Sequence, residues 1–156
     1  IKEISNWING VEIIGDFENS SKEHISKFIY ENHFSSVMID IRNHDLLNNL
    51  DVDNVILKIY DKQYNEDFLS SILDNHKNLI KILVFESFND SKYRFIKKLN
   101  NNLKILVKPL HSLVDTKKML DKYKLGLYLN GSDEIRPGYK DYDSLSEILE
   151  DIEDSF

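Results

Sequence analysis

Between Leu79 and Pro109 the chain alternates two kinds of hydrophobic pattern. The runs Ile80–Phe85 and Leu103–Val107 are apolar almost throughout, as strands covered on both faces are. Between them Tyr93, Ile96, Lys97 and Leu99-Asn100 form a one-sided stripe at helical spacing. The Asn100–Asn102 run supplies the break before the second strand. Strand, helix and strand over about thirty residues predict a βαβ unit.

The rest of the chain repeats that rhythm. Ile1, Ile4, Trp7 and Ile8 predict a short helix that stops at Asn9-Gly10, a pair that could equally close a hairpin. Val11–Ile14 reads as a first strand, followed by Gly15-Asp16-Phe17-Glu18. A helix capped by Ser20 or Ser21 turns Ile25, Phe28 and Ile29 inward. Ser36–Ile41 is a second strand, and Asn43–Asp53 has room for little more than two helical turns around Leu46, Leu47 and Leu50. Val55–Ile59 is a third strand, and Asp67–Leu73 a helix with Phe68, Leu69, Ile72 and Leu73 inward. After Pro109 a helix spans about Leu113 to Tyr123, with Leu113, Val114, Lys117 and Leu120 on one side. Leu125–Leu129 reads as a further strand, turns fall at Asn130-Gly131 and Pro137-Gly138, and Ser144–Asp154 closes as an acidic amphipathic helix.

Five or six short buried strands alternating with helices predict an α/β protein with an open, doubly wound, mainly parallel sheet and helices on both faces. The expected strand order is 2-1-3-4-5, with the helices near 67–73 and 91–99 on one face and 21–33 on the other, through right-handed crossovers. Leu125–Leu129 is an extra edge strand, either parallel with the preceding helix moved to the other face or antiparallel. Two other architectures compete. The strand spacing of roughly 19 to 25 residues overlaps that of leucine-rich repeats, although their fixed Leu/Asn consensus is missing. A half barrel of the (β/α) type is the other, since 156 residues cannot close eight units.

Composition narrows the class. A chain of 156 residues with 41% hydrophobic and 30% charged residues fits one globular domain, 1–156. Its beginning at Ile1 rather than Met fits a chain that is either trimmed or cut from a longer protein. With no cysteine there is no disulfide framework, thiol nucleophile or thiolate metal site. The expected location is cytoplasmic, with no membrane span. A formal charge of −7 argues against nucleic-acid binding, which needs a basic face. His24, His33, His44, His76 and His111 are scattered, so no metal site is expected. No glycine-rich phosphate loop or nucleophile elbow occurs, and no cofactor or catalytic residue is assigned.

The stretch from about residue 11 to 123 resembles a response-regulator receiver domain. Asp16 stands after strand one, Glu86-Ser87 after strand four, and Lys108-Pro109 after strand five, where that family carries an acidic residue, a Thr or Ser, and Lys-Pro. The intervals are 42 residues from Asp16 to Lys58, 28 from Lys58 to Glu86 and 22 from Glu86 to Lys108. The position of the phospho-accepting Asp holds Lys58, with Tyr60 and Asp61 beyond. An ammonium cannot form an aspartyl phosphate and repels the Mg²⁺ that receiver chemistry needs. A slipped alignment would bring Asp61 there instead, past the strand end. The resemblance therefore implies a degenerate, pseudo-receiver-like domain of flavodoxin-like architecture.

In a doubly wound sheet, ligands sit beyond the carboxyl ends of the strands. The residues expected there are Asp16, Glu18, Arg42, Lys58, Tyr60, Asp61, Glu86, Ser87 and Lys108. They form either a small polar pocket or a self-satisfied set in which Lys58 and Lys108 pair with Asp16 and Glu86. The charge collects in residues 141–156, which hold seven acids and no Lys or Arg. The stripe Leu145, Ile148, Leu149 and Ile152 there either docks on the domain or is presented to a partner. Two functions follow: a non-catalytic regulatory or adaptor domain acting through a protein partner, or a small acidic inhibitor of the immunity type that covers a basic protein.

Overall fold

A computed structural model of the chain describes residues 14–17, 21–32, 34–99, 102–129, 134–136 and 139–140. The chain divides into two compact units, 1–107 and 108–156. The expected first helix, Glu18 and the acidic segment with Leu145, Ile148, Leu149 and Ile152 lie outside the described residues.

The first unit is a parallel sheet. Its strands are β1 (Gly15–Asp16), β2 (Ser36–Asp40), β3 (Asn54–Ile59), β4 (Ile80–Phe85) and β5 (Lys104–Val107). Each pairs in parallel with the next, in the order β1-β2-β3-β4-β5. This corrects the expected order 2-1-3-4-5. The first strand lies at the sheet edge, not between strands two and three. Right-handed crossovers that all step in the same direction leave their connections on the same face of a sheet. The described connections of this unit therefore lie along one face of the sheet.

Those connections touch one another as a row on one face must. Between β1 and β2 runs α1 (Lys22–Asn32); a 3₁₀ segment (Ile41–Asn48) follows β2; α2 (Glu66–Asn75) follows β3; and α3 (Asp90–Lys98) follows β4. Lys22 of α1 pairs with Asp45 of the 3₁₀ segment. His44 packs edge-on to Phe68 of α2 at 4.9 Å, and Ser91 of α3 donates to Glu66 of α2 at 3.4 Å.

Each helix starts where a side chain satisfies an orphan backbone N–H. Ser21 accepts from His24 N, Asn65 from Phe68 N and Asn89 from Lys92 N. Asp40 does the same for the 3₁₀ segment by accepting from Arg42 N at 2.8 Å. The inward faces are Ile25 and Ile29 of α1, Leu46 and Leu47 of the 3₁₀ segment, and Leu69, Ile72 and Leu73 of α2. Two stripes differ from expectation. Phe68 is 39% exposed because it leans on His44, and α3 buries Lys92 and Phe95 in place of Tyr93 and Ile96.

The register separates the two faces of the sheet. Val37, Ile39, Val55, Leu57, Ile59, Leu83 and Phe85 align across β2 to β4 and are all buried. The alternate positions carry Ser36, Met38 and Asp40 on β2, Asn54, Ile56 and Lys58 on β3, and Lys104 on β5. The mixed positions are buried as well along β2 and β3, apart from half-buried Asn54, so both faces of these central strands are covered.

The second unit holds α4 (Leu113–Tyr123), β6 (Gly126–Leu127) and an antiparallel pair, β7 (Glu134–Arg136) with β8 (Tyr139–Lys140). The strand expected over Leu125–Leu129 is thus present as β6, and β7 and β8 flank the expected Pro137-Gly138 turn. Ser112 caps α4 through Asp115 N, and buried Thr116 accepts from Leu110 N and donates to Ser112 O, each at 2.9 Å. Lys124 ends the helix in the left-handed region at φ 55°.

Candidate functional site

The carboxyl ends of β1 to β4 gather charged side chains, and the strands decide which ones meet. Asp16 ends β1, Asp40 ends β2, and Lys58 stands one residue before the end of β3. Asp40 and Lys58 are register partners on neighbouring strands, so their side chains leave the same face. Both are almost fully buried, at 0% and 2% exposure. The Lys58 ammonium donates to Asp16 at 3.3 Å across the intervening strand. Asp40 takes a forked pair of bonds from the Arg42 guanidinium, Nε at 2.9 Å and Nη2 at 2.5 Å, besides the backbone N–H of Arg42. Arg42 also lies over the Tyr60 ring at 5.9 Å.

A second knot joins the ends of β3 and β4. After β3 the chain makes a single 3₁₀ turn, Asp61–Gln63. Glu86 accepts from the Asp61 backbone N–H at 3.1 Å. Lys92, on the first turn of α3, reaches back and spends all three of its protons. They go to Asp61 Oδ1 at 2.6 Å, Ser87 O at 2.8 Å and Ser87 Oγ at 3.2 Å. The ammonium also lies 5.0 Å from the Tyr64 ring and 5.5 Å from the Phe85 ring. These contacts surround the ammonium and offset the cost of burying a lysine only 5% exposed.

The electrostatics match this geometry. Burial pushes the Asp61 carboxyl upward, but the Lys92 ammonium and the Ser87 hydroxyl and backbone outweigh it, leaving Asp61 below the usual aspartate value. Tyr64 is raised to about 12 by burial and by the neighbouring Glu66 carboxylate, whose Oε1 accepts from its hydroxyl at 3.3 Å.

Of the residues expected at the strand ends, the structure brings together Asp16 with Lys58, and Asp61 with Glu86 and Ser87. Tyr60 lies beside Arg42. Lys108 belongs to the second unit. Asp40 and Lys92 are the central groups missing from that expectation. Asp40 interrupts an otherwise apolar strand, and Lys92 sits three residues before Phe95 on an apolar stripe. Each position is a place where a charge signals a buried partner.

Chemically the set is a lattice of ion pairs. Among the described residues no group of three or more histidine or acidic side chains is placed to hold a metal ion, and no helix is long and apolar enough to cross a membrane. No family model, no curated protein and no solved structure matches this chain.

Proposed function

We propose that this chain is a non-catalytic interaction domain, regulatory or adaptor in role, that acts by binding another protein. One observation carries the reading: the polar groups at the strand ends, where an α/β sheet would hold a ligand, are used up on one another. Lys58 binds Asp16, Arg42 binds Asp40, and Lys92 binds Asp61 and Ser87. Groups held this way support structure and are not poised to meet reacting atoms. The receiver resemblance is not carried further, because its strand order is not the one found and Lys58 occupies the phospho-acceptor position. On this reading the domain works without cofactor, metal or nucleic acid in the cytoplasm, in keeping with its cysteine-free, acidic composition.

The test is affinity capture of the full chain from its native cell, followed by reconstitution with the purified candidate. A stoichiometric protein complex in sedimentation is the expected result. The reading fails if no protein reconstitutes, or if the chain instead turns over or retains a small molecule. A second reading, a small acidic inhibitor of a basic protein, is favoured by the seven acids and absent Lys or Arg of residues 141–156. It requires an association rate that falls steeply as salt is added.

A further inference from the structure

We propose that the cleft between the 3₁₀ segment after β2 and α2 receives an arginine side chain of the partner protein. The site rests on the interaction role proposed above and supplies its contact surface. The cleft measures about 480 Å³, within the range of pockets that take a small molecule or one large side chain. His44, Asp45 and Asn48 line it from the 3₁₀ segment, and Phe68, Ser71 and Asn75 from α2, with His76 at the end of that helix. Backbone bonds fix both walls. His76 N donates to Ile72 O at 3.0 Å, and its carbonyl accepts from Leu79 N at 2.9 Å and Ile80 N at 3.0 Å. Asn49 N closes the 3₁₀ segment on Leu46 O at 2.9 Å. A site on such rigid walls loses little freedom when it is filled.

At the strand ends the polar groups are used up on one another; in this cleft they are not. Asn48, Ser71, Asn75 and His76 make no side-chain hydrogen bond among the described residues. His44 is committed on one side only. Its Nδ1 lies 3.1 Å from Ile41 O, and because a carbonyl only accepts, the neutral ring keeps Nε2 as an acceptor. Asp45 holds Lys22, which takes one of about four lone-pair positions on its carboxylate. The Phe68 ring, 39% exposed, is held edge-on by His44. Among the described residues no lysine or arginine lines the cleft. Exposed Asp67 and Asp74 stand beside its lining on α2, against one exposed cation, Lys77, past the helix end. A cleft rich in acceptors, with a carboxylate and an open ring, matches a guanidinium, a flat cation that only donates and that stacks on aromatic faces. The compact ammonium of lysine would leave the ring and most of the acceptors unused. Arginine is also among the side chains that most often anchor protein interfaces.

The test is an NMR titration of the isotope-labelled full chain with N-acetylarginine amide, with the citrulline and lysine analogues as controls. Citrulline keeps the shape of arginine and lacks its charge. The arginine compound should shift the side-chain amide signals of Asn48 and Asn75 and the ring signals of Phe68 along one saturable curve at millimolar concentration. Both controls should bind at least about fivefold more weakly. Ser71→Lys sets a cation at an exposed position on the cleft wall. It should abolish those shifts without changing the melting temperature, and weaken a reconstituted partner complex by roughly tenfold or more. Asn75→Lys, on the same wall, is the second variant. The proposal is overturned by the absence of a saturable shift, by equal binding of a control, or by unaltered binding in both variants. A partner complex that persists in both variants also overturns it while the interaction role stands. If no protein reconstitutes at all, that role fails and the arginine site fails with it.

Discussion

The Lys58 ammonium passes over β2 to meet Asp16 at 3.3 Å, tying the two-residue edge strand to a strand that is not its neighbour. The pair is asymmetric: the Lys58 side chain is 2% exposed and that of Asp16 43%. Removing the carboxylate takes one partner from a buried cation, whereas removing the cation leaves an acid that water can reach. Asp16→Asn should therefore destabilise by about 1–3 kcal/mol. Lys58→Met, which keeps the packing and removes the charge, should lie close to neutral. Urea denaturation of both variants checks the order, and a larger loss for Lys58→Met than for Asp16→Asn overturns it.

Acid and alkali should attack the second knot from opposite sides. The Asp61 carboxyl is held below its ordinary value, so its contribution is complete above about pH 4 and fades as the pH falls through the lower folded value. Because its side chain is 46% exposed, the contribution is a few tenths to about 1 kcal/mol. Asp61→Asn should reduce stability at pH 7 and flatten the acid limb of the stability profile. Tyr64 behaves in reverse. Its folded value of about 12 lies above the unfolded value near 10, so its contribution is whole below pH 10 and is lost between the two. Tyr64→Phe should remove that alkaline step, and following phenolate absorbance alongside unfolding will show whether it does.

Most of the elements were legible in the sequence, and the strand order was not. Ile80–Phe85 reads as a strand because its apolar run admits no helical stripe, and the structure places β4 on the same residues. Alternation of strands and helices, however, is shared by doubly and singly wound sheets. Ser36, Asp40, Asn54, Lys58 and Lys104 all fall on one side of the period-two pattern, but Ser36, Asp40 and Lys58 are buried, so they mark internal polar contacts and do not reveal the strand order. The strands begin at Gly15, Ser36, Asn54, Ile80 and Lys104, a near-regular interval that favours repetition in one direction. At the site, Lys58 with Asp16 could be read from burial logic alone. Lys92 could not, because a lysine at the start of a polar helix looks like a solvated one until Phe95 is seen to be buried beside it.

The turn after β3 carries an imperfection that can be repaired. Gln63 Oε1 is buried with no hydrogen-bond partner. An unpaired buried acceptor costs about 1–3 kcal/mol against the same space filled by an apolar group. Gln63→Met, similar in length and volume, should raise the midpoint of thermal unfolding. A drop would mean that the amide nitrogen makes a contribution larger than the loss at the oxygen.

Gly15 sets how closely the edge strand approaches its aromatic cover. A Cβ at this position would stand 2.7 Å from Phe17 Cε2, 3.0 Å from Phe17 Cζ and 3.4 Å from Phe34 Cε2. The obstacle is a ring, and that ring is not free to swing. Phe17 is 5% exposed, its centroid is 5.7 Å from Phe28 and 6.4 Å from Phe34, and its backbone N–H is tied to Met38 O at 3.2 Å. Gly15→Ala should therefore destabilise by about 1–3 kcal/mol through overpacking, although a strand-compatible alanine would otherwise be favoured. Shortening the obstacle should undo this. In the background of Phe17→Leu, itself destabilising, the added methyl should cost much less, giving a coupling of at least about 0.5 kcal/mol in a double-mutant cycle. Additive effects in the four denaturation curves would show that the close approach at Gly15 is not what selects glycine there.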